Sequence, residues 1–251
     1  MSGPPADLDR FYDEAYRARP EEAERLGRWR ALGARAKAEH VVALCGRAGV
    51  RPARVADVGC GDGALLQELG ERRFAPSMTG FEISDSAAAL AGARPIPGVE
   101  GIETFNGATV PREAGAFDLG VISHVLEHVP DPASLLREVA RVSRVVVLEV
   151  PLEANVSAER AGKRIDAEEI GHIQALDRAA VRRIVASAGL RVTEELADPL
   201  SREVHAFFAT GPAARARAAV KAALRRAVFA LAPTLAERLF TVHYAALCVP
   251  A

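Results

Sequence analysis

The sequence predicts an α/β fold built on a doubly wound, mostly parallel sheet. Two observations carry that expectation. Between residues 54 and 148, short apolar runs alternate with stretches of helical periodicity, the order that successive βαβ units produce. The run Val145-Val146-Val147-Leu148 is continuous rather than alternating, as a strand covered on both faces requires. A chain of 251 residues, 49% hydrophobic and 26% charged, fits one such domain with additions at its ends.

The elements follow in order. After a frayed start to about Asp7, residues 8–19 read as a short helix carrying Phe11, Tyr12 and Tyr16. Pro20-Glu21-Glu22 suits a new helix, with proline first and acids in the first turn. Leu26, Trp29, Leu32 and Ala36 continue it at helical spacing, and Val41 and Leu44 carry the stripe towards Gly46. Tyr12 and Tyr16 share a face; core packing is the reading adopted for them, the alternative being a lid over a ligand. Strands are expected at 54–58, 78–83, 101–106, 117–123 and 145–148. Helices fall between them at 64–69, ended by Gly70, and at 85–93. Asp131 caps a third, with Pro132 at its first position and Leu135, Leu136, Val139 and Val142 on its buried face. Residues 153–171 are charged and without period. Asp177 caps a helix that ends at Gly189. Residues 190–196 and 204–209 are expected as strands, 213–230 as a basic helix and 243–249 as a closing strand.

Composition removes several classes. The net charge of -1 gives no global field towards nucleic acid or membrane. Cys45, Cys60 and Cys248 are few and scattered, with neither a disulfide framework nor metal-ligand spacing. They suit a reducing cytoplasm. The first residues lack the basic-then-apolar order of a signal peptide, and no apolar run is long enough to span a bilayer.

The chemistry concentrates at Val55-Ala56-Asp57-Val58-Gly59-Cys60-Gly61-Asp62-Gly63. A strand running into alternate glycines lets a ligand lie against bare backbone at a helix N-terminus. Gly59, Gly61 and Ala64 satisfy the relaxed dinucleotide pattern, with Glu82 near the distance of a ribose acid. A nicotinamide-dependent oxidoreductase is therefore one reading. Asp57 and Asp62 oppose it, because acids beside the turn repel a pyrophosphate. They suit a ligand with an ammonium group and a sulfonium.

On these residues the sequence resembles the class I S-adenosylmethionine-dependent methyltransferases, small-molecule subgroup. The glycine turn is similar to their first motif, and Gly80-Phe81-Glu82-Ile83-Ser84 to their second-strand motif. The stretch from Phe117 to Pro132, containing Ser123-His124-Val125-Leu126-Glu127-His128, resembles their fourth-strand motif. The resemblance implies a seven-stranded Rossmann-like sheet with added N-terminal and C-terminal helices. It implies one domain over 1–251: a helical cap at 1–50, a cofactor-binding core at 51–150 and an acceptor-side region at 151–251. It also implies roles. Gly59, Cys60 and Gly61 approach the methionine part of the cofactor, and Asp57 faces its amino group. Glu82 takes the ribose hydroxyls and Ile83 packs on the adenine. Ser123 and His124 lie beside the methionine part. Where many members hold the adenine with an aspartate after a glycine, this chain has Ala108, so Asn106 or backbone at Gly107 takes that place.

For the acceptor side the residues singled out are His124, His128, Glu149 and His172. Glu149 interrupts an apolar run. His172 lies where related methyltransferases place a histidine facing the acceptor. His172, Glu149 and His124 form the expected catalytic set. A cation site of Asp166, Glu168, Glu169 and His172 is the lesser reading of a solvated acidic segment, so no metal is expected. The expected reaction is methylation at oxygen or nitrogen of a small-molecule acceptor, a sugar or specialised metabolite. The other alternative is a non-catalytic binder of the cofactor. The helix with Arg215, Arg217, Lys221, Arg225 and Arg226 carries no acid. It reads as packed on the domain with its charges in water, or else as a surface for a phosphate-bearing or lipid-linked acceptor. No aromatics interleave with its basic residues, which excludes nucleic acid.

Overall fold

A computed structural model of the chain describes residues 10, 13, 14, 16, 20–160 and 171–251. Helix α1 (Pro20–Ala48) leads into β1 (Arg54–Val58), α2 (Ala64–Glu71), β2 (Ser77–Glu82), α3 (Asp85–Gly92), β3 (Val99–Thr104) and β4 (Phe117–Ser123). A single 3-10 turn (Leu126–His128) precedes α4 (Pro132–Val142), β5 (Ser143–Leu152), α5 (Arg178–Ser187) and β6 (Leu190–Asp198). The chain closes with α6 (Arg202–Ala206), α7 (Gly211–Leu231), α8 (Pro233–Leu239) and β7 (Val242–Pro250).

The strands form one seven-stranded sheet in the order β3-β2-β1-β4-β5-β7-β6. The first five are parallel, and β7 runs antiparallel between β5 and β6. The order reverses between β1 and β4, so the loops after those strands diverge and leave a crevice at their carboxyl ends. Strand alternation sorts side chains onto two cores. Ala56, Val58 and Tyr244 face a layer made with Leu135, Leu136 and Val181. Val55, Ala245 and Leu247 face a layer made with Val41 and Leu44 of α1 and Leu66 of α2. Cys45, Cys60 and Cys248 are buried thiols within these cores. Among the described residues, no helix is long and apolar enough to cross a membrane.

Most expected elements lie where the periodicity places them, within a few residues. The capping residues act as expected: Asp131 accepts from the Ser134 amide and Asp177 from the Ala180 amide. One element is different. The strand expected at 204–209 is the short helix α6 and a turn. The Ser201 hydroxyl caps the Val204 amide and starts the helix. Phe207 and Phe208 then stack on Trp29 at 5.3 and 5.0 Å rather than alternating across a sheet. Of the helix expected at 8–19, residues 10, 13, 14 and 16 are helical; its other residues lie outside the described ones. Asp13 accepts from the Ser84 hydroxyl and the Ser86 amide, which docks this segment on the start of α3.

Candidate functional site

The glycine turn joins β1 to α2 at the point where the sheet order reverses. Gly59, Gly61 and Gly63 have φ of +79°, +56° and +77°, a region glycine adopts without strain. The amides of Gly59 and Cys60 donate to the Phe81 carbonyl at 2.7 and 3.1 Å. A Cβ on Gly59 would stand 2.3 Å from Val125 Cγ2, so no side chain fits there. Glu82, at the end of β2, closes the turn from its other side. Its Oε2 accepts from the Gly61 amide at 2.7 Å, and its Oε1 from the amides of Ile83 and Ser84. Asp57 lies beneath the turn, 1% exposed, and its Oδ2 has no hydrogen-bond partner among the described residues. Burial pushes its carboxyl up to about 7; Glu82 adds to the shift and Lys37 opposes it.

A cavity of about 190 Å³ opens beside the turn. Gly59, Gly61 and Glu82 form its polar floor, and Ile83, Phe105 and Leu135 its apolar wall. Gly107 also lines it, and a Cβ there would meet Ile83 Cδ1 at 2.9 Å. The far end is polar, with His124 and His128. Tyr16 covers the floor: its hydroxyl would lie 2.8 Å from a Cβ on Gly61, and Arg30 stacks on its ring at 4.7 Å. Tyr16 is therefore a cover over the cavity and not a core residue, which corrects the packing expectation. Its partner Tyr12 lies outside the described residues.

Beyond the cavity the carboxyl ends of β4 and β5 and the amino end of the antiparallel β7 gather a network of histidines and acids. His124 follows β4 with φ of +57°, a strained conformation for a residue with a Cβ. Its amide is held by the Glu149 carbonyl at 2.8 Å. Its Nε2 lies 3.5 Å from Glu149 Oε1, without hydrogen-bond geometry, and is buried with no hydrogen-bond partner among the described residues. Burial holds His124 well below its usual range, and Lys37 and His243 add to that. Glu149 is 2% exposed; its two oxygens engage His40 at 3.0 Å and His243 at 3.2 Å. Burial pushes this carboxyl up, but the three imidazoles overcome it and hold it well below the carboxylate range.

A second group adjoins the first. His172 Nδ1 pairs with Glu153 Oε2 at 2.6 Å, and Glu153 raises the imidazole against the downward push of burial. The His172 ring meets His128 edge-on at 4.7 Å. The Nδ1 of His128 pairs with the Gly171 carbonyl at 3.0 Å. Glu127 is fully buried, neither of its oxygens has a hydrogen-bond partner among the described residues, and burial pushes it up to about 7. Lys37 of α1 reaches this region and is lowered by burial against the pull of Glu149, Glu127 and Asp57. Within each of two triads, His124–Glu149–His243 and Glu127–His128–His172, the ligand atoms lie within 4.8 Å of one another, a spacing a cation can bridge. Asp166, Glu168 and Glu169 lie outside the described residues.

The expected site residues divide into groups. Asp57, Gly59, Gly61, Glu82, Ile83, Gly107 and His124 surround or underlie one cavity. Cys60 contributes only backbone there: its thiol turns into the core against Gly80. Asn106 is exposed, and its Oδ1 accepts from the amides of Ala108 and Thr109, so it caps its own turn. Ser123 ends β4 with a buried hydroxyl that has no partner among the described residues. Asp62 is the clear correction. It is clamped by Arg30 at 2.8 Å and Arg94 at 3.1 Å, and so ties α1 to the segment after α3 rather than facing a cationic ligand. His40, His243, Lys37 and Glu153 are missed by sequence reasoning. Each looks like an ordinary polar residue in its own element, and only the sheet register brings Glu149 beside β7.

A sheet of this order, a glycine turn after its first strand and an acid ending its second define an α/β protein with an adenosyl-type cavity at the strand ends. Residues 26–195 match the family described as "Methyltransferase domain". The chain belongs to that family, among the class I S-adenosylmethionine-dependent methyltransferases. The ubiquinone biosynthesis O-methyltransferase of Albidiferax ferrireducens is 32% identical over 146 residues, 56% of this chain and 54% of that protein. That of Ralstonia nicotianae is 37% identical over 90 residues, 35% of this chain and 37% of that protein. The chain thus spans about a third to a half of the length of these curated relatives. Magnesium protoporphyrin IX methyltransferase from Synechocystis PCC 6803, solved with S-adenosylhomocysteine, has the same fold. It superposes with a TM-score of 0.57 at 15% identity, over 97% of this chain and 98% of that one.

Proposed function

We propose that this protein transfers the methyl group of S-adenosylmethionine to an oxygen of a small-molecule acceptor, a hydroxylated sugar or specialised metabolite. Nitrogen is the lesser choice. The names of the O-methyltransferase relatives support oxygen. The observation that carries the reading is the pairing of a glycine-floored cavity with the Glu153–His172 dyad behind its polar end. The cavity fits the cofactor. Asp57 offers a buried oxygen with no hydrogen-bond partner among the described residues, suited to an ammonium group, and Gly59 and Gly61 present bare backbone to the cavity.

When bound, the cofactor supplies a methyl group on a cationic sulfur that leaves as a neutral thioether. The protein's part is alignment and proton removal. The glycine turn, Glu82 and Ile83 orient the donor, and Tyr16 covers it. Orientation of this kind contributes up to roughly 7–11 kcal/mol of a barrier. His172 takes the proton of the acceptor hydroxyl as the oxygen–carbon bond forms and the carbon–sulfur bond breaks. Glu153 orients it and raises its basicity against the downward push of burial, which favours proton uptake by a general base. His124, neutral and held by Glu149, positions the acceptor at the cavity end.

Calorimetry with S-adenosylhomocysteine and with NADH tests the cofactor; binding of NADH alone overturns the reading. His172→Ala is expected to lower kcat by about 10²–10⁴-fold with little change in S-adenosylhomocysteine affinity. Glu153→Gln removes the upward push on His172, so the acid limb of the kcat–pH profile moves to lower pH. Wild-type turnover in His172→Ala removes His172 from the mechanism.

A further inference from the structure

Large apolar side chains are seldom left exposed together on a soluble surface. Among the described residues nine are exposed, and six of them, Phe208, Val220, Leu224, Leu231, Leu235 and Leu239, fall in one stretch of the chain. Three belong to α7, with Val220 at 69%, Leu224 at 65% and Leu231 at 87% exposure. At about 100° per residue they share one side of the helix with Ala213, Ala216 and Ala227, all exposed as well. The opposite side is the packed one: Ala222 is buried, and Arg225 lies over the Phe240 ring at 4.7 Å. The apolar face of α7 therefore points outwards.

Charge borders that face. Arg217 and Lys221 adjoin it on one side, and on the other Arg226 and Arg215 lie beyond the alanines Ala223 and Ala230. From residue 204 to residue 236 there are five basic residues and no acid. The near-zero charge of the whole chain conceals this concentration. An outward apolar stripe between rows of arginine and lysine is the pattern of a helix lying in a membrane interface. It differs from a solvated amphipathic helix, whose apolar stripe faces the domain.

We propose that α7 docks this protein on an anionic phospholipid bilayer, with its Val220–Leu224–Leu231 face in the headgroup region and its flanking basic residues on the lipid phosphates. The helix is tied to the acceptor side. The amides of Val156 and Ser157, just past β5, donate to the carbonyls of Arg238 and Leu239 of α8, and Arg225 reaches the Ser157 hydroxyl at 3.4 Å. Glu153, which holds His172, lies three residues earlier in the chain. Docking brings that side of the molecule to the bilayer. That it thereby presents the catalytic dyad to a lipid-borne acceptor rests on the methyl-transfer reading; the docking itself does not.

Sedimentation of the full chain with vesicles separates the two. The wild type is expected to sediment with vesicles of phosphatidylglycerol and phosphatidylcholine in equal parts, and not with phosphatidylcholine alone. Leu224→Glu with Leu231→Glu abolishes sedimentation. Arg215→Glu, Arg217→Glu and Arg226→Glu together weaken it on the order of a hundredfold or more. Both variants keep wild-type affinity for S-adenosylhomocysteine, which shows that they fold. Absence of wild-type sedimentation with the anionic vesicles overturns the proposal, as does equal sedimentation of the leucine variant. A concentration-dependent dimer that Leu224→Glu dissolves, with no lipid binding, assigns the face to a second copy and overturns it too. Loss of methyl transfer with lipid binding intact counts against the reaction alone.

Discussion

Asp57 and Asp62 lie five residues apart in one motif, and their surroundings give them opposite tasks. Asp62 is neutralised by two arginines, so its charge is already answered within the protein. Asp57 is buried beside Glu82, with its Oδ2 unanswered among the described residues. With a pKa of about 7 it holds a proton in about half of the molecules in neutral solution. A ligand ammonium favours the ionised form, so binding releases that proton. The affinity for S-adenosylhomocysteine is expected to weaken as pH falls below about 7, by up to about tenfold per unit. Asp57→Asn is expected to flatten this dependence. Calorimetry across pH 6 to 8, in about the range where the group titrates, checks both; a flat wild-type profile excludes Asp57 as the ammonium partner. The glycine turn and Glu82 were legible in the sequence because their spacing is local. The different fates of Asp57 and Asp62 were not, since Arg30 and Arg94 reach Asp62 from 32 residues away on either side.

At the scale of elements, α1 does more than cap the sheet. One face packs Ala38, Val41 and Leu44 against β1 and α2, and that packing carries Lys37 and His40 to the carboxyl ends of β4 and β5. The helix was readable from its apolar stripe and its proline start. Its polar contribution was not, because Lys37 and His40 look like residues of a solvated face until the sheet lies beneath them. Leu44→Ala removes a fully buried side chain from this packing and is expected to cost about 2–5 kcal/mol. Thermal unfolding measures that cost. Activity per folded molecule is expected to fall as well, because His40 anchors Glu149. The region from α6 to α8 shows the opposite limit. Helix α7 was legible, but the strand expected at 204–209 became α6, since the Ser201 cap and the Trp29 contact outweigh β propensity.

Across the whole molecule, Glu149 joins α1, β4, β5 and β7 through His40, His124 and His243. Its folded pKa lies well below the ordinary range. The sign follows: a depressed carboxylate stabilises the fold above its unfolded pKa, near 4.3, and that stability is lost as pH falls through the folded value. The wild type is expected to lose stability below about pH 4 more steeply than Glu149→Gln. Acid unfolding followed by circular dichroism checks the difference, and parallel profiles exclude the hub. By itself the sequence determined the parallel α/β architecture, the glycine turn, the acid ending the second strand and the basic helix. These are written in periodicities and spacings that span a few residues. Only the tertiary structure decided which acid stays unanswered, which histidines converge on Glu149 and which way the apolar face of α7 points. Those outcomes depend on strand order and helix packing, which bring residues such as His40 and Glu149, 109 positions apart, into contact, and no local pattern encodes that distance.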